Sequence, residues 1–236
     1  MRLDQSLDGS VAAQTQPAME RWIMTRLYLM RHAQTADTQR FHGSESDIGL
    51  SEWGHEQSRL VAGHFKGLPI KAIYSSAMKR AVSTAAPIGM ELGLVPQQVP
   101  ALHERSMGAL AGADRSAFRH VYMDAMSAWS SGDMDHTHET AESFRMMRDR
   151  GVPALVELLN RHQATGDSIV VVSHGMLIRV LLASLISGMP IADLGAIKID
   201  NVAVNELVWN GQWLEPIRLY DLPDELHNPP EDKLFW

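Results

Sequence analysis

The chain has 236 residues, no cysteine and a formal net charge of −7. Its length suits a sizeable core, the absence of cysteine excludes disulfides and thiolate metal sites, and the acidic balance argues against a broad nucleic-acid surface. No apolar run reaches the roughly 20 residues that a membrane-spanning helix needs, so we expect a cytoplasmic protein without nucleic-acid or membrane partners.

The amino-terminal stretch is polar and lacks the apolar segment of a signal peptide. We therefore predict a flexible extension over residues 1–24, a folded domain over residues 25–222 and a carboxyl-terminal tail over residues 223–236. No internal repeat or low-complexity tract interrupts the predicted domain.

The first predicted strand lies in the segment "LYLMRHAQT" and ends on Arg31 and His32. Both side chains are costly to bury, so their place at the end of an apolar strand needs a reason. Open α/β sheets bind their ligands at the carboxyl ends of strands, where an Arg-His pair would meet an anion.

The following segment predicts two helices with a strand between them. Ser51 is a suitable N-cap for a helix that runs to about Lys66. A short strand over residues 72–74 then leads into a helix capped near Ser75 or Ser76, whose apolar residues keep helical spacing.

The second half of the chain carries the clearest strand, "SIVVVS", an apolar run of the kind that parallel sheets bury. A helix from about Phe144, bent near Gly151, precedes this strand, and an almost wholly apolar helix follows it. Near the end, Asn210-Gly211 predicts a hairpin with a type I′ turn. The alternation of strands and helices predicts a three-layer α/β/α sandwich with a mostly parallel sheet and an antiparallel carboxyl-terminal strand.

Two further junctions between a strand and a helix carry cationic or imidazole side chains. His174 follows the strand "SIVVVS" directly, Gly175 opens the next helix, and Arg80 lies early in the second predicted helix. Because parallel strands end at one edge of a sheet, Arg31, His32, Arg80 and His174 are expected to converge there. Two guanidinium groups, two imidazoles and the amide groups of a helix amino end at Gly175 suit a phosphoryl group.

Several segments in this order resemble the histidine phosphatase superfamily, which has the phosphoglycerate mutase-like fold. The segments that carry the resemblance are "LYLMRHAQT", "IYSSAMKRAVSTA", "LHERSMGALAG", "ESFRMMRDR" and "VVVSHGMLIR". Together they extend over most of the predicted domain, and their order is more specific than any one of them.

The resemblance implies a role for each central residue. His32 matches the nucleophile that forms phosphohistidine, and Arg31, Arg80 and His174 match the pocket that holds the phosphoryl oxygens. Glu104 matches the acid that protonates the leaving alkoxide and later activates water. Protein cations supply the charge in this chemistry, so no metal and no cofactor are expected.

The sequence also departs from the family pattern. Thr38 stands where family members often have Asn, and His42-Gly43 replaces a "QG" or similar pair. Ala33 replaces a glycine after the nucleophile, and Ala111 replaces a glutamate. We keep Thr38, His42 and Gly43 as expected contacts of the phosphate, but these departures leave the identity of the substrate open.

The function expected from these residues is hydrolysis of a small phosphorylated metabolite. A phosphoglycerate mutase is the first alternative, although residues 112–142 offer only Arg115 and Arg119 against several carboxylates and contain no lysine. A non-catalytic phosphoryl-binding protein on the same fold is the second, although the nucleophile and both pocket arginines are retained. A homodimer through exposed strands near the carboxyl end is a further expectation.

Two local alternatives also stay open. Glu104 has a reading as a surface residue paired with Arg105. The segment "DMDHTHET" places His136 and His138 on one side of an extended chain, which suits a metal ion, but a solvated polar loop is the favoured interpretation.

Overall fold

The computed structural model describes residues 24–191, 194, 197–223 and 226. The predicted extension, apart from Met24, and most of the predicted tail lie outside these residues, so the division into three segments stays a prediction. Within the described parts of the chain, no helix is long and apolar enough to cross a bilayer.

One sheet forms the centre of the molecule. Its strands are β1 (Thr25–Arg31), β2 (Ile70–Ser75), β3 (Gln97–Gln98), β4 (Ser168–Ser173), β5 (Val204–Trp209) and β6 (Leu214–Asp221). Their order is β3-β2-β4-β1-β5-β6, with parallel pairing among the first four and antiparallel pairing at β5 and β6. The predicted α/β architecture, with its antiparallel addition at the carboxyl end, is confirmed.

Helices cover both faces of the sheet. They are α1 (Glu52–His64), α2 (Lys79–Leu92), α3 (Arg119–Ser130), α4 (Phe144–Gln163) and α5 (Gly175–Leu185). Short 3₁₀ turns lie at Pro100–Leu102 and Gly108–Leu110. Successive residues of a strand point to opposite faces. Thus Leu29 of β1 packs with α3, α4 and α5, whereas its neighbour Met30 packs with α1 and α2.

Helix α1 begins as the sequence predicts. Ser51 is its N-cap, and the Ser51 hydroxyl accepts a hydrogen bond from the Gly54 amide at 2.9 Å. The next helix begins later than predicted, because Ser75 is the last residue of β2 and Met78 is the N-cap of α2. This shift puts Arg80 at the second position of α2, close to the edge of the sheet.

The hairpin between β5 and β6 differs from the prediction. Trp209 pairs with Leu214, so the loop comprises residues 210–213 rather than two residues. Gly211 has φ +97°, but Asn210 does not adopt the positive φ that a type I′ turn needs. The Asn210 side chain instead accepts hydrogen bonds from the Gln212 and Trp213 amides at 2.9 and 2.8 Å, which stabilise a longer loop.

Helix α4 continues without a break through Gly151.

Candidate active site

The two histidines of the predicted site lie side by side at the ends of adjacent strands. His32 follows β1 and His174 follows β4, and their ring centroids are 5.1 Å apart. Arg80 reaches over from α2 and donates its Nε–H to Nδ1 of His174 at 3.2 Å. Because this Nδ1 accepts, the proton of neutral His174 is on Nε2, which is buried and has no partner among the described residues. That N–H is available to an oxygen of a bound anion.

The tautomer of His32 follows from its own backbone. Nδ1 lies 2.7 Å from the Ala33 carbonyl oxygen, which can only accept, so Nδ1 carries the proton and Nε2 carries the lone pair. Burial lowers the pKa of His32 well below its usual value, and the charges of Arg31 and Arg80 lower it further. The imidazole is therefore neutral near pH 7, as a nucleophile must be.

The guanidinium group of Arg31 is held by a hydrogen bond from one of its nitrogens. Nη1 donates to the Ile199 carbonyl oxygen at 2.7 Å, while Nε is buried without a partner among the described residues. Burial lowers the pKa of Arg31 to about 10, with Glu104 opposing that shift and Arg179 adding to it. Arg31 thus stays charged near neutral pH, with a donor left over for an anion.

The loop before α1 wraps around Arg80. Nη1 of Arg80 donates to the Ser46 carbonyl oxygen at 2.9 Å, and Nη2 donates to those of Gly43 and His42 at 3.3 and 3.4 Å. Gly43 has no room for a side chain, since a Cβ there would lie 2.6 Å from the Arg105 carbonyl oxygen. Gly43 and His42 thus orient Arg80 through their carbonyl groups.

Glu104 lies at the amino end of α5. Its Oε1 accepts from the amides of Arg105 at 2.9 Å and Leu177 at 3.2 Å, and its Oε2 accepts from the Met176 amide at 3.2 Å. Two amides of the helix amino end therefore face a carboxylate of the chain itself, whereas the sequence suggested that they face phosphate. The contact with Arg105 is made by its main-chain amide and not by its guanidinium group.

The segment that carries Glu104 is clamped by Arg150 of α4. Nη1 of Arg150 donates to the carbonyl oxygens of Ala101 and His103 at 2.8 and 2.9 Å, and Nη2 donates to that of Glu104 at 3.1 Å. Arg150 also pairs with Glu142 at 2.7 Å. Glu142 and Arg150, the first and last residues of the segment "ESFRMMRDR", thus fix the position of the Glu104 segment.

Most of the site residues expected from the sequence line one cavity of about 670 Å³. Arg31, His32, Arg80, Glu104 and Gly175 line it, as do Thr38 and His42, whereas Gly43 and His174 are not among its wall residues. Among the described residues, six arginines and three carboxylates line the cavity, so this part of an acidic chain forms a positive site. A local field of this kind attracts an anionic substrate.

Several wall residues were missed from the sequence. They include Arg40, Arg105, Arg179 and Asn201, whereas Arg115, which the sequence offered as a cation for a mutase, also lines the cavity. Arg179 did leave a signal, since it is the one charged residue within the apolar helix α5. It donates to the carbonyl oxygens of Ile197 at 2.9 Å and Gly175 at 3.1 Å, and its Nη1 lies near Gly175, as does Nε of Arg31.

The metal alternative for the segment "DMDHTHET" finds no support. In the described part of the chain, no group of three or more potential ligands is arranged to hold a metal ion. His136 instead contacts Asp124 at 2.8 Å, and Asp135 pairs with Arg145 at 2.6 Å.

Known proteins are similar to this chain in sequence and in overall fold. The family model described as histidine phosphatase superfamily (branch 1) matches residues 27–221. A putative phosphoserine phosphatase 2 of Hydrogenobacter thermophilus is 29% identical over 80% of this chain and 92% of its own length. A metal-independent phosphoserine phosphatase of Arabidopsis thaliana is 29% identical over 79% of each chain. The solved structure of a mycobacterial glucosyl-3-phosphoglycerate phosphatase superposes with a TM-score of 0.73 at 26% identity, over 84% of this chain and all of that one.

Proposed function

We propose that this chain, which belongs to the histidine phosphatase superfamily, is a phosphatase of small phosphorylated metabolites and works through a phosphohistidine at His32. The observation that carries this assignment is the convergence of a neutral, buried His32 with Arg31 and Arg80 beside one positive cavity. Phosphoryl transfer depends mainly on in-line positioning and on stabilisation of charge, and this arrangement supplies both.

In the first step, the lone pair of His32 Nε2 attacks phosphorus, and the bond from phosphorus to the ester oxygen breaks. Arg31 Nε and His174 Nε2, two buried donors without partners among the described residues, are proposed to bind the phosphoryl oxygens. Glu104 is proposed to give its proton to the departing alkoxide, which is too basic to leave unaided.

In the second step, the Glu104 carboxylate takes a proton from water, and the resulting hydroxide attacks the phosphorus of phosphohistidine. The bond from phosphorus to Nε2 breaks, inorganic phosphate leaves, and His32 and the protonated Glu104 return to their starting states. Fixed cations carry the charge throughout, so we propose that catalysis is independent of metal ions, as the name of the Arabidopsis relative states for that protein.

A phosphoglycerate mutase remains the second candidate. A mutase must hold a second anionic group, and Arg40 and Arg115 line the cavity beyond the proposed phosphate pocket. Both arginines are exposed, however, so water reaches this part of the cavity and can attack phosphohistidine. The same arginines suit a phosphatase whose substrate carries a carboxylate.

The test is a panel of phosphorylated metabolites that includes phosphoserine, glucosyl-3-phosphoglycerate and 3-phosphoglycerate. We expect release of inorganic phosphate together with an acid-labile phosphoenzyme. Interconversion of phosphoglycerates at a rate above that of phosphate release would identify a mutase. Failure to hydrolyse either the panel or p-nitrophenyl phosphate would favour the non-catalytic binding protein.

Four further expectations stay predictions: the contacts of Thr38, His42, Gly43 and Gly175 with phosphate, the cytoplasmic location, the homodimer, and the flexible amino-terminal extension. The location can be checked by fractionating cells, and the homodimer by light scattering of the purified protein.

A further inference from the structure

The turn over residues 199–203 contacts both residues of the Arg-His pair. The Ile199 carbonyl oxygen accepts from the Arg31 guanidinium group, and the Ala203 carbonyl oxygen accepts from the Arg31 amide at 3.3 Å. The Asn201 side chain donates its Nδ2–H to the His32 carbonyl oxygen at 2.9 Å. Asn201 also lines the cavity. The turn thus holds the end of β1 at the point where the proposed nucleophile stands.

The backbone of this turn is strained. Val202 has φ +57°, in the left-handed region that a β-branched residue adopts only rarely. Its side chain is fully buried in the core beside α1 and α2. Backbone strain of this kind persists only where the surroundings enforce it, and it concentrates at functional sites.

The His32 main chain is fixed on both sides. Its amide donates to the Ser173 carbonyl oxygen at 2.9 Å, as a continuation of the pairing between β1 and β4. Its carbonyl group has left the sheet, and Asn201 supplies the hydrogen bond that the sheet no longer gives. The His32 ring is in turn bound to the next carbonyl group, that of Ala33. A shift of this main chain therefore moves Nε2.

We propose that Asn201 is a positioning residue for the nucleophile, acting through the main chain of His32. This proposal rests on the proposed function of His32. Asn201 is not required to touch the substrate in order to act, because in-line attack needs Nε2 at a fixed distance and angle from phosphorus. Misplacement of a reacting group by about 1 Å can cost about 10²-fold in rate.

The chain offers a matched control for this bond. Asn205 of β5 also donates its Nδ2–H to a carbonyl oxygen of β1, that of Leu29, at 2.9 Å. Asn205 is fully buried whereas Asn201 is half-buried, and the Asn205 Oδ1 accepts from the Tyr220 amide at 3.2 Å. Asn205 does not line the cavity, however, and its partner lies inside the sheet. The two asparagines differ in whether they hold the nucleophile.

The experiment compares Asn201→Ala, Asn201→Leu and Asn205→Ala with the wild type on p-nitrophenyl phosphate. Asn201→Leu keeps nearly the size and shape of the side chain and removes the donor without adding a charge, so it is the second variant if Asn201→Ala does not fold. Inhibition by vanadate and by inorganic phosphate is measured in parallel. Vanadate forms a trigonal bipyramid on the histidine nitrogen and so depends on where Nε2 stands, whereas phosphate binding depends mainly on the cations.

For both Asn201 variants we expect kcat to fall about 10- to 100-fold with KM changed less than about threefold. The inhibition constant of vanadate should rise about tenfold or more, while that of phosphate stays within about threefold. Asn205→Ala should lower Tm but keep the kcat of the folded protein within about twofold, because its bond only supports the sheet.

Two results would overturn the proposal. Asn201 variants as active as the wild type would show that the bond does not matter for catalysis. Loss of activity in all three variants, in proportion to the loss of Tm, would show that Asn201 only stabilises the fold. If the wild type itself forms no phosphoenzyme, the proposed function fails and the positioning role falls with it, so the two failures are distinguishable.

Discussion

Replacing Glu104 with Gln distinguishes between two roles for this residue. In the first, Glu104 is the general acid that protonates the leaving group. In the second, its carboxylate only holds the amino end of α5, by accepting hydrogen bonds from the Met176 and Leu177 amides. Gln keeps the size of the side chain but cannot supply a proton.

The first reading makes the loss depend on the leaving group. An alkoxide is strongly basic and needs a proton to leave, whereas p-nitrophenolate is stable as an anion. A general acid typically contributes about 10²- to 10⁴-fold, so kcat/KM of Glu104→Gln should fall by about that factor on an alkyl phosphate. On p-nitrophenyl phosphate we expect a much smaller loss. The ratio kcat/KM is compared because it reports the steps up to phosphoryl transfer.

The second reading predicts a loss of stability without a difference between the two substrates. The Glu104 carboxylate accepts three main-chain hydrogen bonds, and Gln can offer one carbonyl oxygen in place of two carboxylate oxygens. At least one amide then loses its acceptor, which costs about 1–3 kcal/mol. In a domain of this size, Tm falls by about 2–4 °C for each kcal/mol. This loss is expected whichever reading is correct.

Glu45→Gln is the control for that stability loss. The Glu45 carboxylate accepts from the Met107 and Gly108 amides at 3.2 and 2.8 Å, but it does not line the cavity. It should lower Tm without distinguishing the two substrates. Steady-state assays and thermal melts of both variants complete the comparison. Equal losses of Glu104→Gln on both substrates would refute the role as an acid and leave the role as an anchor.

Further outcomes are expected from the same site. His32→Ala should abolish turnover and phosphoenzyme labelling, and an acid-labile phosphoenzyme in this variant would place the nucleophile elsewhere. Activity should withstand exhaustive chelation, and vanadate should inhibit; rescue of a chelated enzyme by Mg²⁺ or Zn²⁺ would contradict charge stabilisation by fixed side chains. Burial lowers the pKa of both His32 and His174, so the unfolded chain binds protons below about pH 6.5 that the folded chain does not. Calorimetry should therefore show that the free energy of unfolding falls as the pH drops below that value, by at most about 1.4 kcal/mol per pH unit for each histidine. In His174→Gln this dependence on pH should be weaker, because one of the two histidines is gone. Deletion of residues 1–23 should leave kcat/KM unchanged, and a large fall with the fold retained would mean that this segment completes the site.

The order and type of the main elements follow from local patterns. The all-apolar run "SIVVVS" predicts a buried parallel strand, and β4 is buried at every position. Ser51 and the helical spacing after it also predict the start of α1, because an N-cap acts within the first turn of its helix. The hairpin shows the limit of such rules. Asn210-Gly211 favours a tight turn in isolation, yet the Asn210 side chain satisfies the loop amides in another way.

The central residues of the site were predictable because each stands directly after a strand or early in the helix that follows. Once the sheet is parallel, Arg31, His32, Arg80 and His174 must meet at one edge, whatever the loops do. The contacts around them were not predictable in this way. Asn201 and His32 are 169 positions apart, and Arg150 and Ala101 are 49 apart.

The sequence by itself therefore determined the main helices and strands other than α3 and β3, the sheet type and the four side chains at the strand ends, because these depend on periodicity and on residues within a few positions. Only the tertiary structure decided which amides Glu104 accepts, which carbonyl groups hold Arg31 and Arg80, and how Asn201 reaches His32. These contacts depend on the order of strands and on the path of loops across the sheet edge. No local pattern encodes that path, since it is set by the packing of segments far apart in the chain.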